Sequence, residues 1–219
     1  MSTAPAFRRL PRAVRERQML DAAVLIFSRR GYHAAAMDEI AEQAGISKPM
    51  LYAYLGTKEQ LFVACLHREA ARLLEAVVGA VGPDLAGDEQ LWRGLRAFFG
   101  FVGAHRDGWS VLYRQARAEQ RFAGELATLR ASMVTAIVGL LGRAVGVDDP
   151  QEQSPRRPVR PVDLDVMAHA LVGAIESLAD WLVDHPEADP DVTAARMMNV
   201  AWLGAAQLLR GRLWRPAVG

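Results

Sequence analysis

Apolar positions recur along most of the chain at the three- and four-residue spacing of amphipathic helices. No stretch alternates apolar and polar residues for long enough to predict a β-strand. The periodicity predicts an all-α fold of roughly nine helices. Its segments are 12–30, 37–44, 48–55, a long helix from 58, another from 88, and then 109–121, 124–145, 163–184 and 190–210.

Glycines separate the first four predicted helices. Gly31 follows the last turn of the first helix, where a residue in the left-handed backbone conformation is expected to end the helix. Gly45 suits the same position after the second helix, and Ser47 is placed as the N-cap of the third. Gly56 ends the third helix, and the sequence Thr-Lys-Glu-Gln at 57–60 is a capping box for the fourth. The pattern over 37–55 therefore predicts two helices joined by a three-residue glycine turn.

Composition narrows the class of protein. The 219 residues are 51% apolar and 23% charged, which is typical of a globular chain of one or two domains. One cysteine excludes a disulfide framework, and the five histidines lack metal-ligand spacing. Phosphate-binding and dinucleotide-binding glycine motifs are absent, so we expect no enzyme activity, cofactor or metal. We find no membrane-length apolar run and no signal core, and we expect a cytoplasmic protein.

The charge is distributed unevenly. Residues 1–72 hold eleven Lys and Arg against seven Asp and Glu, whereas residues 73–219 hold fifteen against eighteen. A small basic unit joined to a mildly acidic one suggests that the basic unit binds a polyanion. Residues 1–11 carry Arg8 and Arg9 and are interpreted as a flexible arm. Such an arm either contacts a DNA groove or has no role.

The segment 48–55 has the pattern expected of a helix that enters a DNA groove. Leu51 and Leu55 point inward, and the opposite face carries small, apolar and tyrosyl side chains after a lysine. The major groove is wide enough for one such helix. The alternative is simple packing of a glycine-turned helix pair. The candidate DNA-contacting residues are Ser47, Lys48, Pro49, Met50, Tyr52, Ala53, Tyr54 and Lys58.

Each candidate side chain has a role that its chemistry suggests. Lys48 would donate to guanine or to a phosphate, while Met50 and Pro49 would contact thymine methyl groups. The two tyrosines, at 52 and 54, would donate to phosphate oxygens. Lys58 begins the fourth helix, where free N–H groups attract an anion, so we expect a phosphate there. The alternative for Lys58 is a solvated lysine in a first turn.

The order and spacing of these elements resemble the TetR family of bacterial transcriptional repressors. The likeness covers residues 12–65 and is carried by Ala22-Ala23, Phe27, Gly31-Tyr32, Ile40-Ala41, Ala44-Gly45-Ile46-Ser47, Leu51-Tyr52, Lys58-Glu59 and Leu61. It implies a three-helix DNA-binding domain, fused by the fourth helix to a larger domain that dimerises and holds an effector. It makes 38–44 the supporting helix and 48–54 the recognition helix.

The chain departs from the family pattern at a few positions. Ala36 and Met37 stand where Thr or Ser commonly opens the supporting helix. Met50 replaces a common Thr, and Leu55 replaces a common Phe. These changes leave the fold unaffected and the operator sequence open. The expected division is an arm at 1–11, a helix-turn-helix domain at 12–66 and an effector and dimerisation domain at 67–219, with an exposed loop at about 146–161.

The last two predicted helices have the composition of a dimer interface. Apolar residues cover most of the circumference of 163–184, which indicates burial on two sides. One side would pack on its own domain and the other on a two-fold-related copy, forming a four-helix bundle. A fully buried core within one protomer is the alternative. The candidate interface residues are Met167, Leu171, Leu178, Leu182, Trp202, Ala206 and Leu209.

The effector half contains aromatic side chains at helical spacing, which either line a cavity or form plain core. The carboxylates of Glu176 and Asp180 lie one helical turn apart. If they face a cavity, they would bind a cationic effector. The alternative is that they form a solvated or interface edge. The candidate ligand-binding residues are Trp92, Phe98, Phe99, Phe101, Trp109, Tyr113, Met133, Glu176, Asp180 and Trp181.

These observations favour a homodimeric repressor that binds a double-stranded DNA operator and is released by a small, largely apolar molecule. The alternative is a DNA-binding adaptor without an effector, regulated through protein partners. An enzyme would need a nucleophile–base pair or a metal constellation, and the sequence shows neither.

Overall fold

The structure is a computed structural model that describes residues 11–82, 84–145 and 159–209, and the side chains of 143–145 and 204–209 are outside that description. The predicted arm at 1–11 therefore lies almost wholly outside the described residues. Most of the predicted loop at 146–161 does so as well. Its last residue, Pro161, is already the first residue of a helix, so the loop is shorter at that end than the sequence suggested.

Nine helices form the described part of the chain, and the all-α prediction is confirmed. Proline or a capping residue at several N-termini and glycine at several ends set their limits. The helices are α1 (Arg12–Ala34), α2 (Met37–Gln43), α3 (Lys48–Leu55), α4 (Lys58–Ala80), α5 (Gly87–Ala104), α6 (106–118), α7 (Ala123–Val145), α8 (Pro161–Asp184) and α9 (Pro190–Leu209).

The predicted turns of the N-terminal unit form as expected. Gly31, Gly45 and Gly56 have φ angles of 77°, 66° and 70°, in the left-handed region that favours glycine. Gly31 interrupts the helical backbone near the end of α1. The capping box is present, because the Gln60 amide donates to Thr57 Oγ1 and the Thr57 amide donates to Gln60 Oε1. Ser47 occupies the N-cap position of α3 but makes no side-chain capping bond.

Helix α6 differs from the single helix predicted at 109–121. It has an α-helical start at Arg106–Trp109, a π-helical turn at Ser110–Gln115 and a last α-helical turn at Ala116–Ala118. A separate 3-10 turn follows at Gln120–Phe122. A π-helical turn closes i→i+5 hydrogen bonds and so accommodates an extra residue. A wheel drawn at 100° per residue cannot detect that insertion.

Helix α5 lies at the centre of the C-terminal bundle, where it packs against α4, α7, α8 and α9. The N-terminal unit has its own core, with Phe27, Ile40, Leu51 and Phe62 fully buried between α1, α2, α3 and α4. Helix α4 belongs to both units, since it runs without a break across the expected boundary at residue 66.

The C-terminal unit contributes one aromatic side chain to the core of the N-terminal unit. Phe122 is 1% exposed, its ring stacks on Phe62 with centroids 4.4 Å apart, and it meets Tyr32 edge-on at 5.1 Å. Two histidine–carboxylate contacts flank this ring, one joining His33 to Glu119 at 2.8 Å and one joining His67 to Glu125 at 2.8 Å. The segment after α6 is therefore packed into the helix-turn-helix unit.

Two helical stretches, Gln120–Gly142 and Pro161–Asp184, are long and apolar enough to cross a membrane by length and composition alone. This differs from the sequence expectation of no such run. One or two such helices are weak evidence, because core helices of water-soluble bundles pass the same test. Here α8 packs against α5, α7 and α9 within the bundle.

Candidate DNA interface and effector region

Helix α3, the predicted recognition helix, has one fully buried side chain. Leu51 is 0% exposed and packs in the N-terminal core, while Leu55 is half-buried. The side chains of Ser47, Pro49 and Ala53 remain exposed, and Tyr52 is 44% exposed. The helix therefore presents its first turn and one side to solvent, as the segment pattern predicted. We call residues 47–54 the α3 face, and the exposed side chains named above belong to it.

Lys48, the first residue of α3, forms an ion pair with α2. Its Nζ donates to Asp38 Oδ2 at 2.9 Å, with the two side chains 46% and 72% exposed. The hydrogen bond and the charge of Asp38 raise the pKa of Lys48 above its usual value. The cation at the exposed start of α3 is therefore already paired with a carboxylate. Asp38 lies in the first turn of α2, where a negative charge is favourable.

Two candidates of the α3 face are partly covered by α1. Met50 is half-buried and its Sδ accepts from Arg15 Nη1 at 3.4 Å. Tyr54 is also half-buried, and the Arg12 guanidinium lies 5.4 Å from the centre of its ring. The helical wheel placed Met50 outward, which is only partly right. Arg12 and Arg15 lie more than thirty residues from α3 in sequence, so no local signal could have placed them there.

Lys58 points toward the end of α1 in the free protein. Its Nζ donates to the carbonyl oxygens of His33 and Ala35 at 3.0 and 2.9 Å and lies 4.9 Å from the centre of the Tyr32 ring. Burial, followed by the nearby charge of Arg121, lowers the pKa of Lys58. The ammonium therefore stabilises carbonyls at a helix end. Its contact with a phosphate stays a prediction.

Four of the predicted effector residues form a continuous aromatic series between α5 and α6. Phe98 meets Phe99 and Trp109 edge-on, with centroids 5.3 and 5.5 Å apart, and Trp109 stacks on Tyr113 at 5.1 Å. All four are buried. Their burial and mutual contacts are those of core residues, and a role in lining an effector cavity stays a prediction.

Both candidate carboxylates face this aromatic series. Tyr113 donates to Glu176 Oε2 at 3.1 Å, and Trp109 Nε1 donates to Asp180 Oδ1 at 3.1 Å. Glu176 is 5% exposed, so the alternative of a solvated edge is wrong for it. Burial, with the charge of Glu176, raises the pKa of Tyr113.

Arginines already neutralise the two carboxylates. Arg130 of α7 lies 3.3 Å from Glu176, and Arg114 of α6 lies 2.9 Å from Asp180. Arg114 also pairs with Asp184 at 2.7 Å, and this bond lowers the pKa of Asp184. A cationic effector would have to displace these partners. The arrangement thus argues against the cationic ligand that paired carboxylates suggested.

The other effector candidates lie elsewhere. Trp181 is 40% exposed and stacks on His185 with centroids 4.3 Å apart, away from the aromatic series. Trp92 of α5 and Met133 of α7 are half-buried at the edge of the core. Phe101, the remaining aromatic residue, is buried, with its ring stacked on His105 at 4.3 Å. The sequence could not separate these positions from the buried series.

Some of the predicted dimer-interface residues are buried within their own protomer. Leu171 and Leu182 are 5% and 0% exposed and belong to the core of their own protomer, so both are wrong as interface residues. A helix that is apolar on all sides does not show which side faces its own domain. Met167, Leu178 and Trp202 are half-buried, while the side chains of Ala206 and Leu209 lie outside the described residues.

The exposed apolar side chains of the last two helices form a different set. They are Val162, Val166 and Trp181 on α8, and Val192, Val200 and Leu203 on α9, each at least 40% exposed. Val162 and Val166 are four residues apart on α8, and Val200 and Leu203 are three apart on α9, so each pair lies on one face of its own helix. Among the residues that the structure describes, no group of three or more His, Cys, Asp or Glu side chains is placed to hold a metal ion.

The fold and the helix-turn-helix geometry are those of DNA-binding transcriptional regulators. Residues 19–65 match the family model described as "Bacterial regulatory proteins, tetR family", and residues 88–204 match "Tetracyclin repressor-like, C-terminal domain". The chain belongs to the TetR family of DNA-binding transcriptional regulators, which are not enzymes. The resemblance found over 12–65 is confirmed, and the second match extends it to most of the C-terminal unit.

Individual relatives agree with this assignment. The HTH-type transcriptional activator FasR of Mycolicibacterium smegmatis is 29% identical over 91% of this chain and 87% of its own length. A TetR-like regulator from Rhodococcus sp. RHA1 superposes with a TM-score of 0.75 at 45% identity, covering 90% of this chain and 99% of that one. FadR from Bacillus subtilis, solved in complex with stearoyl-CoA, shares the fold with a TM-score of 0.71 at 16% identity, over 84% and 96% of the two chains.

Proposed function

We propose that this regulator is a cytoplasmic homodimeric repressor that leaves its operator when a small, largely apolar molecule binds the C-terminal unit. DNA would contact the α3 face, with Lys58 reaching a phosphate beside it. The effector would bind along the aromatic series of α5 and α6. No cofactor is needed for either step.

One observation carries the proposal: α6 contacts both units of the molecule. On one side its Trp109 and Tyr113 bond to the carboxylates of α8. On the other side Asp107 accepts from Ser28 of α1 at 2.7 Å. A ligand that preferred a different position of α6 would therefore change the position of α1. Its leverage is limited to its differential affinity for the two arrangements.

The chemistry of the C-terminal unit supports an apolar effector. The buried side chains of this unit are mostly aromatic and aliphatic, and the two carboxylates that contact the aromatic series are paired with Arg114 and Arg130. An apolar ligand gains binding energy from burial there and displaces no ion pair. The complex of Bacillus subtilis FadR with stearoyl-CoA is an example of this kind of ligand on the same fold.

The exposed apolar face of α8 and α9 supports a homodimer. Two recognition helices about one turn of DNA, ~34 Å, apart are the usual requirement for specific binding to a two-fold operator. Val200 and Leu203 are 71% and 69% exposed in the single chain, and Val166 is 63% exposed. We expect Leu203→Asp to convert the dimer to monomers in sedimentation and to weaken operator binding. The exposed α4 variant Leu74→Asp, at a residue 59% exposed, is the matched control.

The test begins with selection of bound sequences from a random DNA pool by the purified wild-type protein. We expect a two-fold motif. Mobility shifts on that motif, repeated with a panel of fatty acids, acyl thioesters, aromatic acids and quaternary ammonium ions, then identify the effector class. Release by an apolar member supports the proposal. Release by the cations alone contradicts an apolar effector, whereas release by none of the panel contradicts control by an effector and favours the adaptor.

The sign of regulation is measured separately. The FasR relative is an activator by name, so a promoter–operator reporter with and without the effector is required. Repression means that the reporter is low with the regulator alone and rises when effector is added. The opposite response would overturn the repressor part of the proposal while leaving DNA and effector binding intact.

A further inference from the structure

The ion pair between Lys48 and Asp38 lies where a base edge would be read. Lys48 opens the recognition helix, and the N-terminal residues of such helices are the ones that contact bases. Asp38 lies in the first turn of α2, on the supporting helix. Both side chains are substantially exposed and their charged atoms are 2.9 Å apart. The pair therefore presents a cationic donor directly beside an anionic acceptor.

A phosphate is a poor partner for this pair. Phosphate oxygens accept hydrogen bonds and carry negative charge, so they attract Lys48 but are repelled by Asp38. Residues that bind the DNA backbone without sequence preference are typically cations, amides and hydroxyls. A partner that offers an acceptor next to a donor satisfies both members of the pair at once. Base edges in the major groove offer this combination.

The order of groups across the major groove selects one base pair. A G·C pair presents two adjacent acceptors, guanine N7 and O6, followed by the cytosine N4 donor. An A·T pair places its donor, adenine N6, between the acceptors N7 and O4, so one acceptor would be left facing the carboxylate. Lysine with guanine and aspartate with cytosine N4 are the pairings that their geometry favours.

We propose that Lys48 and Asp38 together read one G·C base pair in each half-site, with Lys48 donating to guanine and Asp38 accepting from the cytosine amino group. The inference rests on the proposed α3 face. It makes Asp38 a specificity-determining residue, although an acidic residue is not expected on a surface that binds a polyanion.

The test compares the sequences selected by the wild-type protein with those selected by Asp38→Asn and Lys48→Met. Both variants should lose about a tenfold preference for G·C at the same base pair of each half-site. An asparagine side chain bonds well to adenine N6 and N7, so Asp38→Asn should shift that one position toward A·T. The other positions of the motif should be unchanged. Both residues are exposed, and thermal unfolding by circular dichroism verifies that the variants remain folded.

Glu39→Gln is the matched control. Glu39 is the next carboxylate on α2, it pairs with Arg30 at 3.1 Å, and the substitution removes the same charge. It should leave the selected motif unchanged. The inference would be overturned if Asp38→Asn left the selected motif unchanged. It would also be overturned if Asp38→Asn and Lys48→Met altered the motif at different base pairs. Absence of any motif with the wild-type protein would instead defeat the proposed DNA-binding surface itself.

Discussion

The DNA-binding face and the interior of the C-terminal unit are organised in opposite ways. The groups of the α3 face lie within one short helix, and the ion pair beside it joins residues ten positions apart. In the interior, the bond from Tyr113 to Glu176 spans 63 positions and that from Trp109 to Asp180 spans 71. Local patterns can therefore describe the first region except for the contacts of Met50 and Tyr54 with α1, whereas the second region depends on how distant helices meet.

The two regions also differ in what their polar contacts are worth. The Lys48–Asp38 pair is solvated and contributes little to folding, as surface ion pairs generally do. It is therefore free to exchange partners with a base pair. The Glu176 and Asp180 contacts lie between packed helices, where an unpaired charge is costly. The first set is suited to recognition and the second to holding α6 against α8.

Removing the Phe122 ring, which joins the C-terminal unit to the N-terminal core, is expected to give the largest change in the free energy of unfolding. Phe122→Ala removes a buried aromatic ring from the N-terminal core and should lower the free energy of unfolding by about 3–5 kcal/mol. Because that ring belongs to the core beside α3, operator affinity should fall as well. Thermal unfolding and binding by fluorescence anisotropy, measured at a temperature where the variant is folded, test both effects.

Phe99→Ala is the control for this comparison. Phe99 is also fully buried, but it packs with Phe98 inside the C-terminal unit. It should cost a similar free energy of unfolding and leave operator affinity close to that of the wild type. Equal losses of affinity in the two variants would show that Phe122 has no special connection with the DNA-binding unit.

The next largest effect should come from Glu69 on α4. This carboxylate is 1% exposed and accepts hydrogen bonds from Arg68 and Arg72, and a Cβ at Gly108 of α6 would overlap it. Glu69→Gln removes the buried carboxylate that pairs with Arg68 at 2.7 Å and with Arg72 at 3.1 Å, while Arg68 keeps its second ion pair, with Asp21. We expect a loss of about 3 kcal/mol in urea unfolding.

The residue Glu75 on the same helix provides the comparison for Glu69. Glu75→Gln should change the free energy of unfolding by less than about 0.5 kcal/mol. If both variants were equally stable, the ion pairs of Glu69 within α4 would contribute nothing to the stability of the protein.

A smaller loss of stability is expected at Lys58, and the same variant tests whether this residue binds a phosphate. Lys58→Met keeps the apolar stem and removes two hydrogen bonds to the end of α1, at a cost of about 1 kcal/mol of stability. If the ammonium also binds a phosphate, the slope of log K against log salt should fall by about one for non-specific DNA. Anisotropy titrations at several salt concentrations measure that slope.

Arg29→Met is the control for charge alone. Arg29 lies with Glu39 and Glu42 around a separate groove between α1 and α2. Its substitution should leave the slope nearly unchanged. The same slope for Lys58→Met and the wild type would mean that Lys58 serves the end of α1 and not the DNA.

The smallest effect concerns the thiol of Cys65. Burial raises its pKa to about 12, so in the folded protein the thiol stays protonated as pH rises from ~7 to ~9. Alkylation by iodoacetamide, followed by mass spectrometry, should be slow over that range and fast after unfolding in urea. Rapid labelling of the native protein, increasing with pH, would indicate that the core between α1 and α4 opens readily.

The sequence predicted most of the N-terminal unit because its signals are local. The glycine turns and the capping box involve residues within four positions of one another, and the structure contains each of them. In the C-terminal unit, most helix limits were predicted well but helix faces were not. Leu171 and Leu182 were assigned to a partner although both face their own core.

The sequence by itself determined the helices, their turns, the family and the exposed start of α3, because short-range sterics and hydrogen bonding decide these features. The tertiary structure decided which face of α8 is inward, how Phe122 enters the N-terminal core and which charges meet. Helices of similar amphipathic pattern can pack in several rotations, and the choice depends on shape and charge matching between residues that the sequence places far apart.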